Sequence, residues 1–203
     1  MACGRARPTA CVGTSAIGNV RISSKPEASA KLKTPKTLLF LGAAVIVAHN
    51  LEEALVAPPW LSQHWAELVA RLGRPVLHFS TQGLYLAITV VTLLSLVVIA
   101  VTYRSSPRSL GTYSLLTLFG IYFINAFAPH IFVALVLRSY VPGLLTALLL
   151  VVPYTVVFAA SGVRSGRYTK RGVGIAVAVA LLLYASIGLT VQWFLVASPS
   201  SGA

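Results

Sequence analysis

The chain has 203 residues, of which 57% are hydrophobic and only 10% charged, with a formal net charge of +12. That balance lies outside the range of soluble domains, and several apolar runs are long enough to cross a hydrocarbon core of about 30 Å as helices. A soluble globular protein is excluded. Nucleic acid is excluded as a partner too, because the basic residues form no aromatic-interleaved patch or known binding motif.

Residues 1–36 hold seven of the sixteen Lys and Arg and are rich in Ser and Ala, the composition of a disordered basic tail. The tail has no apolar core of its own, so it is not a cleavable secretory signal, although its Arg and Ser content also suits a transit peptide. The only cysteines, Cys3 and Cys11, lie in it without the spacing of a disulfide framework or a zinc site.

Five spanning helices follow, at about Thr37–Ala57, Gln82–Tyr103, Leu110–Leu137, Pro142–Val163 and Val173–Ala197, and residues 198–203 form a short C-terminal tail. The expected fold is an all-α polytopic membrane helix bundle. Pro58 and Pro59 are expected to end the first helix. Beyond them, Leu61, Trp65, Leu68, Val69 and Leu72 fall at helical spacing opposite His64, Glu67 and Arg71. This predicts a short helix over 60–72 in the interface plane, with Trp60 and Trp65 at headgroup level.

Loop charges orient the bundle. Thirteen Lys and Arg fall in the tail and in the 104–109 and 164–171 loops, against Arg71, Arg74 and Arg138 on the other side. The excess predicts a cytoplasmic N-terminus and an extracytoplasmic C-terminus in the plasma membrane. It also predicts contacts of the basic residues with anionic lipid headgroups.

Only four acids occur, all Glu, and two stand in the first spanning segment within "VAHNLEEALVAP". His49 and Glu53, at i and i+4, share a helix face, with Glu52 on its flank. A charged side chain at mid-bilayer costs about 2.5–3.5 kcal/mol on insertion scales, so the group should face the bundle interior and find partners there. Helix three offers Asn125 and His130 in "NAFAPH". Pro129 cannot donate to the Asn125 carbonyl, and the resulting kink shifts the helical phase so that Asn125 and His130 share an inward face. At 1.5 Å per residue, His49 lies about 18 Å and Asn125 about 22 Å along helices running the same way, so the two groups converge on one leaflet.

Imidazole with carboxylate is a ligand set for zinc or iron. His49, Glu53 and His130, with His78 at the end of the first external loop, are the candidate metal ligands. Glu52 and Asn125 are then left for a bound water or substrate. The metal-free alternative uses Glu52 or Glu53 as general base and a histidine as acid. His49-Asn50 departs from the HExxH pattern of zinc metalloproteases. Tyr85, Tyr122, Tyr154 and Gln192 are further pocket candidates, His64 reads as a surface residue, and Glu67–Arg71 as an i,i+4 surface pair.

His49-Asn50-Leu51-Glu52-Glu53 in a first spanning helix, with Asn125-x-x-x-x-His130 downstream, resembles the HXXEE family, over roughly residues 37 to 195. The resemblance implies an integral membrane protein suspected of being an enzyme, and implies no substrate or metal. Intramembrane CAAX-type proteases are set apart by their EExxxR and FxxxH elements, both missing here. The function expected is a membrane-embedded enzyme, metal-dependent or acid–base, acting on a lipid-like or amphipathic substrate near the extracytoplasmic leaflet. The alternatives are a cation- or proton-binding or transport protein and a structural membrane subunit.

Overall fold

The computed structural model describes residues 34–72 and 80–197, with side chains through residue 190. The described residues are almost entirely helical, and five helices are long and apolar enough to cross a membrane. These are α1 (Lys36–Leu72), α2 (Thr81–Arg104), α3 (Leu110–Leu137), α4 (Leu144–Arg164) and α5 (Lys170–Ala197). Ser80 and Ser109 cap the starts of α2 and α3, each hydroxyl accepting from a backbone N–H three residues on. The basic tail expected over residues 1–36 lies outside the described residues up to 33, as does the C-terminal tail, 198–203.

α3 runs through the centre. Leu115, Leu116, Phe119 and Tyr122 are buried against Leu39, Val45 and Ile46 of α1, Ile99 of α2, Val151, Tyr154 and Phe158 of α4 and Ala176 of α5. Phe119 meets Tyr154 and Phe158 with ring centroids 4.8 and 5.0 Å apart. The outer faces remain apolar, with Leu86, Leu94 and Leu182 well exposed. Lipid tails are as apolar as Leu, so such faces need no protein cover, and helix association rests on packing and hydrogen bonds instead.

One such hydrogen-bond cluster ties α1 to α2 and α3. The Asn50 amide donates to the Thr92 hydroxyl at 2.6 Å and the Tyr122 hydroxyl at 3.2 Å. Ser95 lies 3.1 Å from the same Tyr122 oxygen. Thr92 and Ser95 pass their own protons to backbone carbonyls one turn back, so every donor in the cluster ends on an acceptor.

Two segments leave α-geometry. Ala126–Ile131 of α3 and Ala147–Val151 of α4 are π-helical. Pro129 lies inside the first, and Pro153 follows the second by two residues. A proline withholds the i→i−4 donor, and a wider turn accommodates the break.

Pro58 and Pro59 do not end the first helix: α1 continues through them to Leu72. Residues 60–72 are helical as the spacing predicts, but form the last turns of α1 and no separate element. Proline's fixed φ is itself helical, so the pair removes two donors without forcing the chain out of a helical path. The extension is also anchored. Trp60 and Leu68 pack on Leu137 and Val141, the Trp60 indole N–H donates to the Tyr140 carbonyl at 2.8 Å, and Arg71 donates to the Val136 carbonyl. His64 stacks on Trp60 with centroids 4.8 Å apart, and Glu67 pairs with Arg71 at 2.9 Å. Among the basic loop residues, Arg167 is buried in the α4–α5 turn, donating to the Ser161 and Ser165 hydroxyls at the α4 C-terminus.

Gly42 marks the closest approach of α1 to the core. A Cβ there would lie 2.7 Å from Phe119 Cζ and 2.5 Å from the Tyr154 hydroxyl, whereas one at Gly174 would meet nothing within 4 Å. Gly42→Val is expected to lower stability by about 1–3 kcal/mol through overpacking, and Gly174→Ala to stay within about 0.5 kcal/mol of wild type. Thermal unfolding in detergent checks both, and equal effects would contradict this packing.

Candidate functional site

The site is built by three local devices. The α-helical turn of α1 places His49 and Glu53 one above the other, with His49 Nε2 3.7 Å from Glu53 Oε1. In α3 the π-turn makes residues five apart neighbours, which carries His130 onto the Asn125 face. The Asn125 amide lies 3.0 Å from His130 Nε2, and Glu53 Oε1 lies 3.1 Å from that same nitrogen. The third device is the turn between α3 and α4. Gly143 takes a left-handed φ of +82° there, and its backbone lies against the His130 ring.

The His130 ring proton can be placed from its partner. His130 Nδ1 is 2.7 Å from the Pro142 carbonyl oxygen, which only accepts, so Nδ1 carries the proton. His49 Nδ1 is 2.9 Å from the Thr146 hydroxyl, whose own proton has the Gly143 carbonyl as acceptor at 3.4 Å. In the His49–Thr146 contact either the ring Nδ1–H or the Thr146 hydroxyl is the donor, according to the His49 tautomer. Both Nε2 atoms lie near one carboxylate oxygen of Glu53, His49 at 3.7 Å and His130 at 3.1 Å. His49 is 1% exposed and its Nε2 has no hydrogen-bond partner among the described residues. Ligand atoms of His49, Glu53 and His130 all lie within 4.8 Å of one another. Metal–ligand bonds of about 2.0–2.2 Å at tetrahedral angles separate neighbouring ligand atoms by roughly 3.3–3.6 Å, a spacing that 3.1 and 3.7 Å bracket.

Glu52 is adjacent in sequence but engaged elsewhere. Its carboxylate accepts from the backbone N–H of Thr146 at 2.8 Å, from Leu145 N–H at 3.4 Å and from the Tyr140 hydroxyl. It thereby caps the free N–H groups at the start of α4, where a helix favours negative charge. Asn125 receives a second contact from α5, the Tyr184 hydroxyl donating to its Oδ1 at 3.4 Å. The structure thus brings together His49, Glu53, Asn125 and His130, with Glu52 one shell away through Thr146. His78 lies outside the described residues. Tyr122 belongs to the Asn50 cluster beside His49, Tyr154 to the core and Tyr85 to the exposed face of α2.

Gly143, Thr146, Tyr140 and Tyr184 are missed by sequence reasoning. One signal for the first three was available. "VPG" at 141–143 is a turn opening a spanning helix, and a helix N-terminus beside two Glu is an anion site in waiting.

A cavity of about 260 Å³ opens from Glu53 and His130 between Ala57, Trp60, Leu61, Leu68 and Leu72 of α1, Leu84 of α2, Pro129 and Val133 of α3 and Val141-Pro142. Three larger clefts, of about 580, 660 and 580 Å³, lie among apolar outer side chains and contain none of the candidate site residues.

Five apolar helices gathered around an internal His–Glu cluster define a multi-pass α-helical membrane protein. The chain belongs to the HXXEE family, described as "Protein of unknown function with HXXEE motif", which it matches over residues 40–158. That span is shorter than the sequence resemblance suggested. It contains every site residue named above except Tyr184, which α5 supplies from beyond it. A curated relative, "Uncharacterized protein YrkK" of Bacillus subtilis (strain 168), is 32% identical over 109 residues, covering 53% of this chain and 63% of that protein. The chain therefore aligns with less than two thirds of that relative's length. No solved structure matches.

Gly143→Ala must place a methyl group 2.6 Å from His130 Cε1 at a left-handed φ. A stability loss of about 1–3 kcal/mol in detergent is expected, and a neutral result would contradict the packing of this turn on His130. Tyr140 lies outside the spanning segments. Burial first, then the hydrogen bond to Glu52 and its charge, push the Tyr140 phenol up to about 12. A raised phenol stabilises while protonated, so its contribution is complete below about pH 10 and fades as the pH climbs towards about 12. The stability gap between wild type and Tyr140→Phe should be flat below about pH 10 and close above it, as denaturation at stepped pH can measure.

Proposed function

We propose that His49, Glu53 and His130 hold a divalent metal, zinc or iron, in a membrane-embedded enzyme acting on a lipid-like or amphipathic substrate near the extracytoplasmic leaflet. One observation carries the metal: the Nε2 atoms of two imidazoles converge on a single carboxylate oxygen. A neutral Nε2 and an ionised Oε1 repel at 3.1 Å unless a proton or a cation lies between them. One proton relieves one of the two contacts; a cation relieves both. The groups behind the rings, the Pro142 carbonyl and the Thr146 hydroxyl, are of the kind that orient metal-binding histidines.

Three protein ligands leave a further coordination position, the mark of a catalytic site rather than a structural one. A metal there supplies Lewis acidity or an activated water. The chain's own groups do the rest. The Asn125 amide, held by Tyr184, is a donor beside the ligand cluster, suited to a substrate oxygen. Glu52 seats the α4 N-terminus and, through Thr146, the His49 ring. The thirteen basic residues on one side support a cytoplasmic N-terminus in the plasma membrane, which puts the cluster towards the extracytoplasmic leaflet.

Metal analysis of protein purified in detergent without chelator tests this reading. Wild type and Glu52→Gln should carry close to one equivalent of zinc or iron, and His49→Ala, Glu53→Ala and His130→Ala should carry little. Metal-free wild type, or equal metal in all five proteins, would defeat it.

A further inference from the structure

The cavity beside the ligand cluster has an unusual lining. Ten of its described lining side chains are apolar, and the ionisable groups among the described ones are Glu53 and His130 themselves. The one other polar atom among them, the Trp60 indole N–H, is already committed to the Tyr140 carbonyl. Apart from Glu53 and His130, no described side chain of that wall is free to hydrogen-bond a sugar, a phosphate or a peptide, and a buried polar group without a partner costs about 1–3 kcal/mol. An anionic headgroup would also meet the Glu53 carboxylate. Hydrocarbon meets neither penalty.

The opposite side of the cluster is different in kind. Through Thr146, His49 connects to the Glu52–Tyr140 pair, where Tyr140 is 44% exposed. The ligand cluster therefore stands at a boundary, with an apolar cavity against Glu53 and His130 and a partly exposed polar pair, Glu52 and Tyr140, on the other side. We infer that the cavity is a chain-binding site: it takes the first part of an uncharged lipid's hydrocarbon chain, with the polar end of that lipid beside Glu53 and His130. At about 30 Å³ per water-sized group, 260 Å³ accommodates roughly nine such groups, so a long chain enters only in part.

This inference accounts for the extension of α1 past its proline pair. Residues 60–72 contribute Trp60, Leu61, Leu68 and Leu72, four of the lining side chains, and close the cavity against α3. Without the extension, Glu53 and His130 would face the membrane or its aqueous boundary directly. The naming of the polar end as the reacting end rests on the metal reading above; the chain site does not.

Photolabelling separates the two. Purified protein is irradiated with a long-chain fatty alcohol bearing a diazirine a few carbons from its hydroxyl, with and without excess unlabelled alcohol, and metal content is measured on the same samples. Saturable labelling of residues within 57–72 and 129–142 is expected. Val133→Trp, which fills the cavity, should reduce it to the competed level while leaving metal content unchanged. Leu61→Trp, from the facing wall, replaces it if that variant does not fold. Labelling confined to lipid-facing Leu86, Leu93 and Leu148, or undiminished in both cavity-filling variants, overturns the inference. Saturable labelling of a metal-free wild type defeats the metal assignment alone.

Discussion

A carboxylate inside a membrane must be compensated by the protein, because neither water nor lipid will do it. Two adjacent glutamates in α1 sharpen that demand, and the bundle meets it in two different ways. Glu52 receives neutral donors: two backbone N–H groups at the start of α4 and the Tyr140 hydroxyl. Glu53 receives the Nε2 atoms of two imidazoles. The first solution is complete within the protein. The second is complete only with a proton or a cation, and for that reason the proposed metal centres on Glu53 and not on Glu52.

Much of the bundle's irregular backbone serves these two carboxylates. The π-turn in α3 lets residues five apart act together, and without it Asn125 and His130 would diverge around the helix. The left-handed Gly143 lets the α3–α4 turn pass close under the His130 ring, so that Pro142 accepts its Nδ1 proton and Thr146 reaches both Glu52 and His49. Irregular backbone at membrane depth is tolerated where it is buried in protein or lines a cavity. Here it does both. The Asn50 cluster with Thr92, Tyr122 and Ser95 works from the other flank, fixing the roll of α1 against α2 and α3 and hence the direction in which His49 points.

Membrane context also explains the division of the surface. Apolar clefts between lipid-facing helices are larger than the cavity at the cluster, yet they are ordinary consequences of side chains packed against a solvent as apolar as themselves. The smaller cavity differs because ionisable groups stand in it. In a chain with four acids in all, the placement of one at the end of an apolar cavity is the more informative fact.

The sequence by itself determined the helix count, the approximate span boundaries and the residue types at the site, since bilayer thickness and apolar run length are local properties. It also paired HNLEE with NAFAPH, because intramembrane polar residues are too few to have many possible partners. The i,i+4 spacing set Glu53 beside His49, but it left open what Glu52 does. Only the packing of α4 against α1 commits Glu52 to a helix N-terminus, and only the π-turn of α3 brings His130 to Glu53. Nor did it keep α1 whole. Pro58 and Pro59 read locally as a stop, and the anchoring of Trp60, Leu68 and Arg71 on the end of α3 overrides them. Tertiary contacts decided those points because each depends on partners more than 40 positions away, beyond the reach of any periodicity in the chain.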